Sequence, residues 1–269
     1  MPSPTEVHPG RPVALVTGGC SGIGNAIAHR LAALGHDLVL VSERLDRLEA
    51  AAGALRASHG VDVHAACVDL SRPGAARHVH ERVRGLGLDV DVLVNNAGFF
   101  FFGEAADAEP ARADALLQLH VVAPSLLCTL VGREMRERRR GRILVVSSIS
   151  AWRDFPGIAY YGSSKRYLRG FARSLRSEMR PYGVTVTCLA PGPVATDLYG
   201  HDSPQVRQGR KLGLFLEPER VAEVAVRALF RGDAECIPGA SARLMAWSSA
   251  LTPQWVVDLV RSRAPWLGR

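Results

Sequence analysis

Residues 13–24 read VALVTGGCSGIG, and few other twelve-residue stretches limit a chain's fold so tightly. A short apolar run ends in four closely spaced glycines, Gly18, Gly19, Gly22 and Gly24. From within the glycine stretch onward Ile23, Ala26, Ile27, Leu31 and Leu34 recur with helical spacing, and Gly35 follows as the expected left-handed stop. This is strand, glycine turn, helix. Such a turn lets backbone approach a pyrophosphate and points the positive end of the helix at it, so Thr17, Gly18, Cys20, Ser21, Gly22, Ile23 and Gly24 are candidate dinucleotide contacts.

The same unit recurs down the chain. Apolar runs at 13–17, 38–42, 62–68, 90–94, 142–147 and 184–190 are separated by helical patterns and show little polar alternation, as strands covered on both faces should. The expectation is an α/β chain with a doubly wound, mainly parallel sheet of Rossmann type. It forms one domain over residues 1–269, with a core at 11–235, a substrate-loop region at 198–232 and a C-terminal tail at 238–269.

Composition narrows the function classes. Five scattered cysteines with no paired spacing suggest neither a disulfide framework nor a metal site, and they fit a reducing cytoplasm. The first residues have no apolar leader core, and no stretch reaches the roughly 20 apolar residues of a span. A formal net charge of +7 and the arginines at 136–142 raise nucleic acid as a partner. The run falls where a long helix should end, with Gly141 as the stop, so cations favouring the helix dipole are the preferred reading and no nucleic-acid partner is expected.

Two lysines stand against 31 arginines, and one of them, Lys165, lies four residues after Tyr161. On a helix these positions share a face, which sets an ammonium against a phenol and favours the phenolate. An exposed surface pair would have the same spacing. Ser148, at the end of the run ILVVSS, converges with Tyr161 above the sheet edge, where both hydroxyls can donate to one carbonyl oxygen.

Taken together, TGGCSGIG at 17–24, Asp69-Leu70, NNAG at 95–98, Ser148, YGSSK at 161–165 and PGPVAT at 191–196 resemble the short-chain dehydrogenase/reductase superfamily over residues 11 to 235. The resemblance implies Tyr161 as general acid/base, Lys165 as the residue that lowers its pKa and holds the nicotinamide ribose, and Ser148 as the hydroxyl orienting the substrate oxygen. It also implies that Asp69 and Leu70 lie at the adenine, that Asn95 braces the sheet beside it, and that Ala97 and Gly98 leave room for the cofactor. Pro191, Gly192, Val194 and Thr196 would lie at the nicotinamide carboxamide. Asn95 also reads as a strand-pinning asparagine and Thr196 as a helix cap.

The chain departs from the pattern at His120, where many members carry an asparagine that helps hold a proton-relay water. His120 could serve that relay or be a packed, neutral core histidine. Cofactor choice stays open between NAD and NADP, because Glu43 favours a ribose 2′-hydroxyl and Arg44 a 2′-phosphate. Phe99 to Phe102, with Trp152, Phe155, Tyr199, Leu212, Leu214 and Phe215, suggest an apolar pocket for a hydrophobic ketone or secondary alcohol of ketoacyl, steroid-like or polyketide-like kind. A homodimer or homotetramer is expected by resemblance, and contact with a membrane surface is not. The rival to an oxidoreductase is a non-catalytic dinucleotide-binding sensor or scaffold of the same fold.

Overall fold

The computed structural model describes residues 10–196, 198 and 215–263. Among them, seven parallel strands form one sheet in the order β3-β2-β1-β4-β5-β6-β7. They are β1 (Val13–Thr17), β2 (Asp37–Ser42), β3 (Val63–Cys67), β4 (Val90–Asn95), β5 (Gly141–Val146), β6 (Val184–Leu189) and β7 (Glu235–Cys236). The chain runs outward from β1 to β3, returns, and continues on the other side from β4. The strand ends therefore part between β1 and β4, where a ligand crevice is expected.

Helices cover both faces because the strands are apolar on both. Val13 and Leu15 of β1 face one cluster, with α3 (Ala75–Gly85), α5 (Ala123–Arg138) and α6 (Ala159–Met179). Ala14 and Val16 face the other, with α1 (Gly22–Ala33), α2 (Leu45–His59) and α7 (Pro218–Arg231). The six long strands match the runs read from sequence to within a residue or so. The seventh is two residues long, below what periodicity can detect. Val221, Ala222, Ala225 and Leu229 of α7, in the latter half of the 198–232 region, are fully buried, so this helix packs into the core. Residues 197 and 199–214, with Tyr199, Leu212 and Leu214, lie outside the described residues.

The long helix before β5 is not uniform. α4 (Pro110–Leu117) and α5 are joined by a wider, π-helical turn over Gln118–Val122 that contains His120. By length and composition the path Pro110–Arg138 is apolar enough to cross a membrane, with a mean hydropathy of 1.7 in its best window, although polar residues such as Gln118, His120 and Ser125 interrupt it. Its inner face, Leu127, Cys128, Val131 and Met135, is packed into the core, as in the central helix of an α/β sandwich. Its stop also differs from expectation. Arg139, not Gly141, takes the left-handed position at φ 55°. Gly141 is needed for another reason, since a Cβ there would lie 2.5 Å from the Met135 side chain.

The tail folds as α8 (Ala240–Leu251) and α9 (Gln254–Arg263). α8 lies on the short turn that follows Ser148, and a Cβ on Gly192 would come within 2.9 Å of Ala242.

Candidate active site

A cleft of about 890 Å³ opens along the carboxyl ends of β1 to β6, from the glycine turn to Tyr161 and Lys165. That is within the range of pockets that enclose small molecules and cofactors.

At one end, the glycine turn is held by backbone contacts that leave no room for side chains. A Cβ on Gly24 would sit 2.2 Å from the Gly18 carbonyl oxygen and 2.4 Å from Asn96 Nδ2. Gly22 turns through φ +52° beneath Thr196, whose Cγ2 is 3.0 Å from where a Cβ would be. Asn96 is the residue that sequence reading missed. Its amide donates to the carbonyls of Thr17 (3.0 Å) and Gly18 (3.3 Å), tying β4 to the turn. Period-2 alternation could have found it, because adjacent residues at a strand end face opposite ways.

Asn95 indeed points away. It is buried, donating to Cys128 Sγ (3.2 Å) and the Pro124 carbonyl (3.5 Å), and it does not line the cleft. It pins β4 to α5, the strand-pinning alternative, and does not face the cofactor cleft. Thr17 and Gly24 are likewise behind the wall. Thr17 Oγ1 donates to the Val94 carbonyl and accepts the amides of Asn96 and Ala97. Gly18, Cys20, Ser21, Gly22 and Ile23 do line the cleft.

The first turn of α1 carries no acidic residue, and Ser21, at its cap, makes no side-chain cap bond. The free amides of a helix start with a glycine approach are what a pyrophosphate requires. Further along, Glu43 and Arg44 line the cleft as expected, joined by Arg47 from the same turn of α2. Its spacing from Arg44 was the available signal. Asp69 and Leu70 lie there too. Burial pushes the Asp69 carboxyl up, but two bonds from Ser71 and one from Arg72 outweigh it and hold the group below its usual range. These residues fit a dinucleotide.

The other end is built from buried side chains. Ser148 follows β5 and caps a short turn, its Oγ accepting the Ser150 amide (3.2 Å), while Ile149 N–H bonds the Pro191 carbonyl (3.0 Å). Tyr161 lies in the first turn of α6, with Phe100 edge-on to its ring at 5.0 Å between centroids. Lys165 is one turn on, its Nζ 5.6 Å from the centre of that ring and donating to the Val146 carbonyl at 3.1 Å. Burial lowers the ammonium pKa to about 8, although the neighbouring Cys188 acts the other way. Ser147 holds the Lys165 carbonyl (2.7 Å), which fixes α6 against β5.

His120 takes the packed alternative. Ser164 Oγ donates to the Tyr161 carbonyl (2.7 Å), so it accepts from His120 Nδ1 at 3.0 Å, and Nε2 accepts the Phe99 amide at 3.1 Å. Both ring nitrogens are used. Burial, with a contribution from Lys165, keeps the ring neutral, its pKa well below the ordinary value. The ring supports the 97–100 loop and α6, and it has no nitrogen left to anchor a relay water.

The aromatic residues divide. Phe99 and Phe100 line the cleft, with Leu119 and Leu198 nearby. Phe101 lies under the Arg112 guanidinium (4.9 Å), and Phe102 packs on Gly157 with 47% of its surface exposed. Trp152 and Phe155 are not on the cleft wall. Trp152 instead stacks under Arg169 (3.9 Å), which also pairs with Glu235 of β7 at 2.6 Å. Val194 and Thr196 also line the cleft, and between them Ala195 N–H bonds the Leu216 carbonyl (2.9 Å).

A glycine-lined, uncapped helix start at the β1/β4 crevice, joined to a serine, tyrosine and lysine at the end of β5, defines a nicotinamide-dependent oxidoreductase. Residues 12–207 match the short chain dehydrogenase family, to which the chain therefore belongs. It is 32% identical over 218 residues to a 3-oxoacyl-acyl-carrier-protein reductase of Aquifex aeolicus, covering 80% of this chain and 88% of that protein. It is 35% identical over 185 residues to human dehydrogenase/reductase SDR family member 4, covering 68% and 66%. Among solved structures, a short-chain dehydrogenase from Sphingobium yanoikuyae in complex with NADPH superposes with a TM-score of 0.79 at 29% identity, over 92% of this chain and 95% of that one. The cofactor is NAD or NADP.

Proposed function

We propose that the chain interconverts a bulky apolar ketone and its secondary alcohol, using NADP in preference to NAD. The observation that carries this reading is the single cleft in which Ser148, Tyr161 and Lys165 lie beyond the glycine turn, with Phe99, Phe100 and Leu198 lining it. Arg44 and Arg47, both at the adenine end, outnumber Glu43 there and favour a 2′-phosphate. Relatives include a 17-beta-hydroxysteroid dehydrogenase type 3 of Danio rerio, at 31% identity over 72% of this chain and 64% of that protein, in keeping with a large apolar substrate.

The dinucleotide supplies or accepts the hydride. The protein orients the carbonyl oxygen between the Ser148 and Tyr161 hydroxyls. In reduction the Tyr161 hydroxyl proton passes to that oxygen as the carbon gains hydride, and the phenolate left behind is stabilised by Lys165, whose Nζ is fixed by the Val146 carbonyl. In oxidation the same phenolate takes the alcohol proton. We further infer that copies of the chain associate through the outer faces of α5 and α6, where Leu126 is exposed and Tyr167, also exposed, stacks on Phe171 at 5.8 Å.

The test is NADPH and NADH oxidation with a panel of aryl and cyclic ketones, alongside titration of each reduced cofactor into the protein. Turnover with NADPH, abolished in Tyr161→Phe with binding retained, supports the reading. Tight binding without turnover on any ketone would favour the sensor.

A further inference from the structure

α8 and α9 wear their apolar residues on the outside. Ala242 and Ala246 form the buried face of α8, and on the opposite face, at the spacing i, i+3, i+7, stand Leu244, Trp247 and Leu251, exposed at 71%, 71% and 79%. α9 has no buried residue, and its Trp255 is 66% exposed. This inverts the pattern of a helix docked on a soluble core, whose outward face is polar. Large apolar side chains exposed together on one helix face and the start of the next mark an interaction site.

The charge around it indicates what covers it. The two helices carry Arg243, Arg261 and Arg263 against Asp258, and because Arg261 is paired with Glu104, Arg243 and Arg263 supply the positive excess, in a chain of net charge +7. A second copy would bring like charges together at the rim, whereas anionic headgroups would neutralise them. Exposed tryptophans next to arginines also suit the boundary between headgroups and acyl chains.

We propose that α8 and α9 form a docking surface for an anionic phospholipid bilayer, with Trp247, Leu251 and Trp255 entering the interface and Arg243 and Arg263 meeting the headgroups. From the sequence, the basic, tryptophan-bearing tail could touch a membrane surface or a partner subunit, and membrane contact is not the expected outcome; the exposure of these side chains favours it. The surface is tied to the catalytic end. Arg261 pairs with Glu104 at 2.6 Å, just beyond the Phe99–Phe102 run, and α8 rests on the turn that begins at Ser148. A docked molecule would hold its cleft beside the bilayer, which would let a lipophilic ketone enter from the membrane. That consequence rests on the proposed substrate class, but the docking does not.

The test is co-sedimentation of the full chain, loaded with NADPH and without ketone, with vesicles of phosphatidylcholine alone or containing about 30 per cent phosphatidylglycerol. Wild type should partition onto the anionic vesicles, with a blue shift in tryptophan emission. The variant Trp247→Ser/Leu251→Ser should bind at least about tenfold more weakly while still binding NADPH. Arg243→Glu/Arg263→Glu should reduce binding to the anionic vesicles selectively. Wild type left in the supernatant, or vesicle binding unchanged in the serine variant, would overturn the proposal. A fall in the light-scattering mass of the serine variant, with no vesicle binding by wild type, would assign the face to a second copy. Because no ketone is present, a failed substrate panel leaves the result intact.

Discussion

At the β1 end of the cleft the wall is backbone, whereas at the β5 end it is side chain, and each end is vulnerable in its own way. The glycine turn functions by what it lacks: a Cβ at Gly24 has nowhere to go, and the uncapped amides of α1 need no side chain to hold an anion. The Ser148–Lys165 end functions by groups that burial disfavours, and Lys165 is kept in place at the expense of its own hydration. Mutation should thus separate the ends, with binding failing at one and chemistry at the other.

The largest effect belongs to chemistry. Tyr161→Phe is expected to lower turnover by about 10²–10⁴-fold while the dissociation constant for NADPH, measured by nicotinamide fluorescence, changes little. If both fell together, the division between the ends would be broken. Gly24→Ala should do the reverse in kind, losing about 3 kcal/mol of stability in urea titration and most of its NADPH affinity, because the contact is with backbone and cannot be relieved by a rotamer change. Lys165→Met should stop turnover yet raise the melting temperature of the cofactor-free protein. The folded amine gives up its proton at about pH 8 and the unfolded one near its ordinary 10.5, so the folded state bears the penalty fully at neutral pH and progressively less between those values. The gain, on the order of 2–3 kcal/mol at pH 7, should shrink at pH 10.

A smaller effect comes from histidines. Burial lowers the pKa of His120, His36 and His64 in the folded protein, so the unfolded chain takes up their protons first. Stability from these groups is complete above about pH 6.5 and falls as pH drops below it, which denaturant titrations at pH 7.5 and 5.5 would detect. Smallest of all, Gly53→Ala on the outside of α2, where nothing lies within 4 Å, should add about 0.5–1 kcal/mol, the opposite sign to Gly24→Ala at the same residue type.

Sequence revealed the backbone end better than the side-chain end, for a physical reason. Strands buried on both faces and a glycine turn leave local signals, and six strands and the start of α1 stand where those signals put them. What a side chain meets is decided by distant residues. Alternation along β4 says that Asn95 and Asn96 face opposite ways, but not that the one meets Cys128 and the other holds the turn. Nor does the composition around Trp152 announce that Arg169, held by Glu235, will stack on it away from the cleft. His120 could be read either way until Ser164 and Phe99 were seen on its two nitrogens.

The depletion of lysine has a practical consequence. Amine reagents can modify only two side chains here, and one of them, Lys165, is 5% exposed with an ammonium unusually ready to lose its proton. Its covalent labelling therefore depends on reagent entering the cleft, whose wall Lys165 forms with Tyr161. Followed peptide by peptide in a mass spectrometer, the rate at which that one amine is tagged would measure how readily the catalytic end admits reagent, and protection by added NADPH would report how firmly bound cofactor closes it.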